Sequence, residues 1–232
     1  MVAGRTLYAS LQEINTNSSN VVTLEDPIEY QLDGISQTQV SEKKGMTFAS
    51  GLRNVLRQDP DIIMIGEIRD KETAEMVIQS ALTGHLVFST LHTNDAASAV
   101  TRLLDLGIEP YLVASSVLGV LSQRLVRRIC QVCKQQADIG TLQSDAGAEQ
   151  SQLVECQNCR NSGYSGRVGI FELMVVNEAL RGAIQNRDNA AQIKTIAIDS
   201  GMKLLRTDGL EKIQSGQTTQ TEVDRVSSSA LG

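Results

Sequence analysis

Tryptophan is missing from this chain, and aromatic residues of all kinds make up only 3% of it. Positive charge is also in the minority, with 21 Lys and Arg against 27 Asp and Glu and a formal net charge of -6. An acidic chain without interleaved basic and aromatic residues lacks both the phosphate-neutralising charge and the stacking faces of a nucleic-acid binder, so no nucleic-acid partner is expected. No apolar run approaches the roughly 20 residues of a membrane helix, and no signal peptide opens the chain. A soluble, cytosolic protein is expected. The three prolines, Pro27, Pro60 and Pro110, each fall where a regular element must start or stop. Histidines number only two, at His85 and His92.

What is present has the pattern of an α/β protein. Hydrophobic residues make up 41% of the 232, enough for one sizeable domain and a smaller one. The stretch around which the chain is organised is Asp59-Pro60-Asp61-Ile62-Ile63-Met64-Ile65-Gly66-Glu67. A turn signal and a short apolar run describe a strand buried on both faces of a parallel sheet. Gly66 and Glu67 fall at its carboxyl end, where open α/β sheets bind ligands. There Gly66 permits close approach and Glu67 is a candidate base for activating water.

Around it the chain reads as alternating elements. Thr6–Asn15 is an amphipathic helix with Leu7, Leu11 and Ile14 on one face. Val21–Leu24 is a β-branched strand running into Glu25-Asp26-Pro27. The polar segment from Gln31 to Gly45 predicts a hairpin or loop over the sheet edge. Helices follow from Thr47 and from an Asp70 cap through Leu82, then a third buried strand at Leu86–Leu91, ending at His92. A further helix from Asp95 closes at Gly107, and another, opened by Glu109-Pro110, is expected to run through Arg128. Arg124, Arg127 and Arg128 would then form a solvated basic helix face. From Asn177 onward the pattern is helical, at 177–185, 189–200, 202–214 and 219–226.

Three ordered motifs carry a specific resemblance: Thr23-Leu24-Glu25-Asp26-Pro27-Ile28-Glu29, then Gly66-Glu67-Ile68-Arg69-Asp70, then Gly84-His85 through Ser89-Thr90-Leu91-His92-Thr93-Asn94. With Arg102, Gly107-Ile108-Glu109-Pro110 and Gln123-Arg124-Leu125, the chain resembles the motor domain of the type II secretion and type IV pilus assembly ATPases over nearly its whole length. The resemblance implies a RecA-like P-loop NTPase sheet using ATP and Mg2+. It also implies a homo-hexameric ring, cytoplasmic and peripheral at the inner membrane, working with an inner-membrane platform protein and membrane-anchored assembly proteins. Glu67 is then the water-positioning base, with Glu25 and Asp26 handling magnesium through water or sharing that role. Gly66 stands where the usual magnesium-orienting Asp would be. Capping of the following segment is the plainer role for Asp26. Arg69, Asp70 and Thr90 are implied on the nucleotide-binding side.

The histidines are separated by seven positions, about 23 Å if the segment is extended at roughly 3.3 Å per residue. His92, at the carboxyl end, is therefore the better candidate for sensing phosphate, and His85 has the stronger claim to a structural role. The family carries G-x-x-G-x-G-K-[ST] directly before its Thr-Leu-Tyr-Ala. Here Met1-Val2-Ala3-Gly4-Arg5 precedes Thr6, with Ala3 in the lysine position, and G-K-[ST] occurs nowhere in the chain. The phosphates lose the lysine, the amide nest and the magnesium hydroxyl together. The fold expected is a RecA-like sheet truncated before its P-loop. Two functions follow: a motor subunit that hydrolyses ATP, or a nucleotide-dead fragment acting as a scaffold or ring-assembly module.

The four cysteines form two C-x-x-C pairs, Cys130/Cys133 and Cys156/Cys159, with residues 134 to 155 between them. Four thiolates at this spacing suit tetrahedral, structural Zn2+. Two reduced pairs, or a redox pair, are the other readings. The organisation expected is a partial ATPase domain at 1–128, a tetracysteine zinc module at 129–168 and a helical subdomain at 169–232.

Overall fold

The structure is a computed structural model describing residues 2–15, 18–41, 43, 45–132 and 156–227. Cys133 and the segment 134 to 155 lie outside the described residues. The chain forms two compact units, one of Met1–Val120 with Met174–Ser200, the other of Leu121–Leu173 with Gly201–Gly232.

The first unit is built on a four-stranded parallel sheet of β1 (Val21–Glu25), β2 (Ser36–Gln39), β3 (Ile62–Ile65) and β4 (Leu86–Ser89), in the order β2-β1-β3-β4. β1 and β3 are buried at every position, as their unbroken apolar runs require. Helix α1 (Val2–Ile14) lays Tyr8 and Leu11, with Leu7 and Ile14 beside them, on Val21, Ile62 and Met64. Helix α2 (Phe48–Val55) begins with a reciprocal cap between Thr47 and Ser50. Its Gly51 comes so close to β1 that a Cβ there would meet Leu24 Cδ2 at 3.0 Å. Asp70 caps α3 (Lys71–Leu82) through the Thr73 amide, and Asp95 caps α4 (Ala96–Asp105) through that of Ser98. Helix α5 (Pro110–Ser116) starts on its proline.

Three expectations are corrected. The segment from Gln31 to Gly45 contains β2, a parallel edge strand whose Ser-Gln-Thr-Gln sequence shows no hydrophobic period and whose pairing to β1 is a backbone matter. β4 is not a strand buried on both faces: Leu86 is exposed and the remaining three residues are only partly buried, because β4 is the other edge. The helix opened by Pro110 stops at Ser116, and residues through Ile129 form strand β5 (Gly119–Ile129), paired with β6 (Tyr164–Val175). Leu118, Leu121 and Leu125 recur at helical spacing, yet the segment is held by cross-strand pairing. The arginines at 124, 127 and 128 are therefore on a strand rather than a helix face.

Of the C-terminal helices, α6 (Glu178–Gln185) and α7 (Ala190–Asp199) belong to the first unit, α6 packing on α5 and α7 on α4. In the second unit, α8 (Leu205–Gln214) and α9 (Gln220–Ser227) close a core of Val126, Ile170, Leu205, Val223 and Val226. No helix among the described residues is long and apolar enough to cross a membrane.

Candidate functional site

Three parallel strands, β1, β3 and β4, end side by side and bring Glu25, Asp26, Gly66, Glu67 and Thr90 to one crevice. Backbone bonds knit these ends together: Gly66 N–H to the Leu24 carbonyl at 2.8 Å, and Ile68 N–H to that of Thr90 at 2.9 Å. The Thr90 hydroxyl donates to the Gly66 carbonyl at 2.7 Å. The crevice is lined by Gly4 at the start of α1, Glu25 at the end of β1 and Asp26 after it, Gly66 and Glu67 after β3, and Thr90 after β4.

Glu67 is the most buried acid of the crevice. It is 2% exposed, and both carboxylate oxygens are engaged. Oε1 accepts from Arg69 Nη2 at 2.5 Å, and Oε2 lies 3.1 Å from His92 Nε2. The Arg69 guanidinium holds the carboxyl below its usual range, helped by His92 and opposed by burial. A buried carboxylate beside an imidazole at the carboxyl end of parallel strands is chemically equipped to orient and deprotonate water.

Glu25 is also buried, but its carboxylate is committed internally. It accepts from the Tyr8 hydroxyl, from Thr23 Oγ1 at 2.5 Å and from Gln37 Nε2 at 3.0 Å. Burial, and then the bond to Glu25, push the Tyr8 phenol up to about 12. Tyr8 also receives the Glu29 amide at 3.2 Å, so one hydroxyl ties α1 to both ends of the 25–29 loop. Asp26, in the middle of that loop, is exposed. Tyr8 and Gln37 escaped sequence reasoning. Tyr8 lies three residues from Leu11 on the buried face of α1, which signals burial but not its partner.

The remaining motif residues divide by position. His85 sits where α3 gives way to β4, its Nδ1 2.9 Å from the Ser80 carbonyl oxygen and 3.2 Å from Thr83 Oγ1. It is not brought to Glu67. Asp70 is engaged in capping α3, with 2.8 Å to Thr73 N and 3.1 Å to Thr73 Oγ1. Asp95, three residues beyond His92, meets Lys194 of α7 at 3.2 Å. Burial pushes the Asp95 carboxyl up, but Ser98 and Lys194 outweigh it and hold the carboxyl low.

In the second unit, Cys130, Cys156 and Cys159 are buried together with their sulfurs within 4.8 Å of one another. Cys130 Sγ and Cys156 Sγ are 3.9 Å apart, close to the roughly 3.8 Å edge of a thiolate tetrahedron with Zn–S bonds of about 2.3 Å. Asn158 Nδ2 donates to Cys130 Sγ at 3.2 Å, and Asn161 Oδ1 accepts the Cys156 amide at 2.8 Å. Left-handed backbone at Arg160 and Asn161 turns the chain tightly after Cys159. The donor set fits a soft divalent metal.

The fold and the crevice define an α/β protein with a carboxylate–imidazole pair at the ends of parallel strands. The chain belongs to the Type II/IV secretion system protein family, which matches residues 4–225. Type II secretion system protein HxcR of Pseudomonas aeruginosa is 51% identical over 225 residues, 97% of this chain and 46% of that protein. The type IV pilus assembly ATPase PilB of Thermus thermophilus is 50% identical over 227 residues, 94% of this chain and 26% of that one. Among solved structures, the pilus retraction motor PilT with bound ADP superposes with a TM-score of 0.69 at 26% identity, covering 96% of this chain and 56% of that chain. The chain thus spans less than half the length of the two curated relatives named here.

Proposed function

We propose that this chain carries the hydrolytic half of an ATPase site in a motor for type II secretion or type IV pilus assembly. The observation that carries the reading is the buried Glu67 carboxylate at the crevice, with His92 Nε2 3.1 Å from its Oε2. Glu67 takes the proton of the attacking water and directs the remaining hydroxide at the γ-phosphorus, while the bond to the β-phosphate oxygen breaks. His92 lies on the phosphate side and polarises the reacting groups. Asp26, exposed at the crevice, is the acid for water-mediated Mg2+. Glu25, committed to Tyr8, Thr23 and Gln37, supports it by fixing the loop. Arg69 is the cation on the nucleotide side, with Thr90 and Asp70 holding the strand end and helix that present it. Cys130, Cys156 and Cys159, with Cys133, would hold a structural Zn2+. The assembly is a homo-hexamer, cytoplasmic and peripheral at the inner membrane, engaging a membrane platform protein.

A second reading is favoured by one feature of the sequence. No G-K-[ST] occurs in the 232 residues, and Ala3 occupies the lysine position, three residues before Thr6. On that reading the chain is a nucleotide-dead scaffold or ring-assembly module. The test joins the chain behind a family-type phosphate-binding half. Glu67→Gln should retain nucleotide binding and lower turnover by about 10²-fold or more, the usual worth of a general base. His92→Ala should lower turnover more than His85→Ala. Unchanged turnover in Glu67→Gln would remove the assignment.

A further inference from the structure

Both oxygens of the Glu67 carboxylate already face a partner. Arg69 takes Oε1 at 2.5 Å and His92 faces Oε2 at 3.1 Å, while the carboxylate itself is buried. A base in this condition is badly placed to receive a proton from water. Withdrawing one of its partners would make it readier to take that proton. Both partners reach out to solvent, Arg69 with 56% and His92 with 73% of its side chain exposed, but they differ in charge: Arg69 is permanently cationic, whereas an imidazole can stay beside the carboxylate as a neutral group. The other charged groups lining the crevice, Glu25, Asp26 and Glu29, are acids and do nothing to keep Glu67 ionised.

We propose that Arg69 is a latch on Glu67, pairing with Oε1 to suppress proton acceptance and freeing the base only when Arg69 is drawn to a competing anion. Arg69 is thus a positioning residue, acting through Glu67. The inference rests on the reading of Glu67 as base, and it adds a reason for Arg69 to stand two residues further along the same loop. The phosphates of a bound nucleotide are anions of the kind that compete for a guanidinium. Water activation would then be confined to the occupied site, because the same ligand that presents the scissile bond removes the latch. The low proton affinity of Glu67 in this state, set first by Arg69, agrees with the geometry.

The test needs no turnover and uses the chain as it stands. The carboxyl carbon of Glu67 is followed by NMR in 13C-glutamate-labelled protein through a pH titration, with Glu67→Gln supplying the assignment. Arg69→Gln, which mimics the released latch, should raise the proton affinity of Glu67 by about ten- to a hundredfold, the range an adjacent opposite charge commands. Arg69→Lys, which keeps the charge, should restore most of the depression. A second measurement follows the guanidinium nitrogens of Arg69, which should be more restrained in the unmodified chain than in Glu67→Gln. A Glu67 titration identical in the unmodified chain and Arg69→Gln, or an Arg69 signal indifferent to Glu67→Gln, would overturn the latch. Neither result touches the assignment of the base, which fails or stands on the turnover of Glu67→Gln in the longer protein.

Discussion

Glu222 shows how much one buried acid can organise. Only 1% exposed, it accepts the Arg127 amide at 2.9 Å, Arg127 Nη2 at 2.7 Å and Arg225 Nη2 at 2.9 Å. Arg127 in turn lies 4.1 Å over the Tyr164 ring, so this cluster joins β5, β6 and α9. Arg225 first, and then Arg127, overcome burial and hold the Glu222 carboxyl down to about 2. A carboxyl depressed in the folded state contributes stability above its unfolded pKa, and that contribution is lost as pH falls through the folded value. The window is therefore from about pH 4.5 down to about 2. Glu222→Gln should cost the second unit about 2 kcal/mol at neutral pH, the scale of charge-assisted bonds whose arginine partners can fall back on water. The difference in unfolding free energy between the two proteins should shrink across that window. Taking the difference cancels the common effect of acid on the cysteines. A difference that stays constant with pH would mean that the pairing is not what stabilises the unit. None of this was legible in the sequence, where Arg127 belonged to a run of arginines and Glu222 sits 95 residues away. The placement of Glu67 and His92 beyond the ends of β3 and β4 was legible, because each follows an apolar run.

At the scale of elements, the reading succeeded where a local signal coincided with a tertiary role. Helices begin where their starts were read, at Thr47, Asp70, Asp95, Asn177 and Asn189, and beyond the expected Asp70 cap the other four side chains prove to be caps as well. It failed at β2, whose four polar residues become a strand only because β1 offers a free edge. It failed also at β5, where leucines at helical spacing compete with β-branched Val117, Val120 and Val126. The partner that decides the matter, β6, begins more than thirty residues later. Between them stands the cysteine cluster, with Cys130 directly after β5 and Gly163 directly before β6. The Cys130 amide donates to the Gly163 carbonyl at 2.8 Å, so the cysteines meet where the two strands meet. We expect about one zinc per chain, the stoichiometry of a four-thiolate site. Cys156→Ser should release it and lower the thermal stability of the second unit, because metal binding and folding of such a site are coupled. Elemental analysis that finds no metal in protein prepared without chelator would remove the claim.

At the scale of the whole molecule, the helical C-terminal stretch does not stay together. Its first two helices serve the sheet-bearing unit, where Lys194 of α7 reaches Asp95 close behind His92. The later ones complete the β5–β6 unit. Periodicity marked each helix but carried no information on which core would take it, since an amphipathic face fits any apolar surface of suitable shape. The same scale governs activity. Phosphoryl transfer is catalysed almost entirely by positioning and electrostatics, and the groups that position the β- and γ-phosphates in this class of site are a lysine and an amide nest. G-K-[ST] does not occur in the 232 residues, and the acids of the crevice, Glu25, Asp26 and Glu67, would oppose whatever hold the Arg69 guanidinium gives a polyphosphate. The chain by itself should therefore show no ATP turnover above background. Joined behind a family-type phosphate-binding half, it should form hexamers and hydrolyse ATP, with the two gains appearing together in sedimentation and phosphate-release measurements. Turnover by the 232-residue chain that Glu67→Gln abolishes would mean that other residues hold the phosphates. The N-terminal turn of α1 around Gly4, which lines the crevice, would then be the first place to look for them.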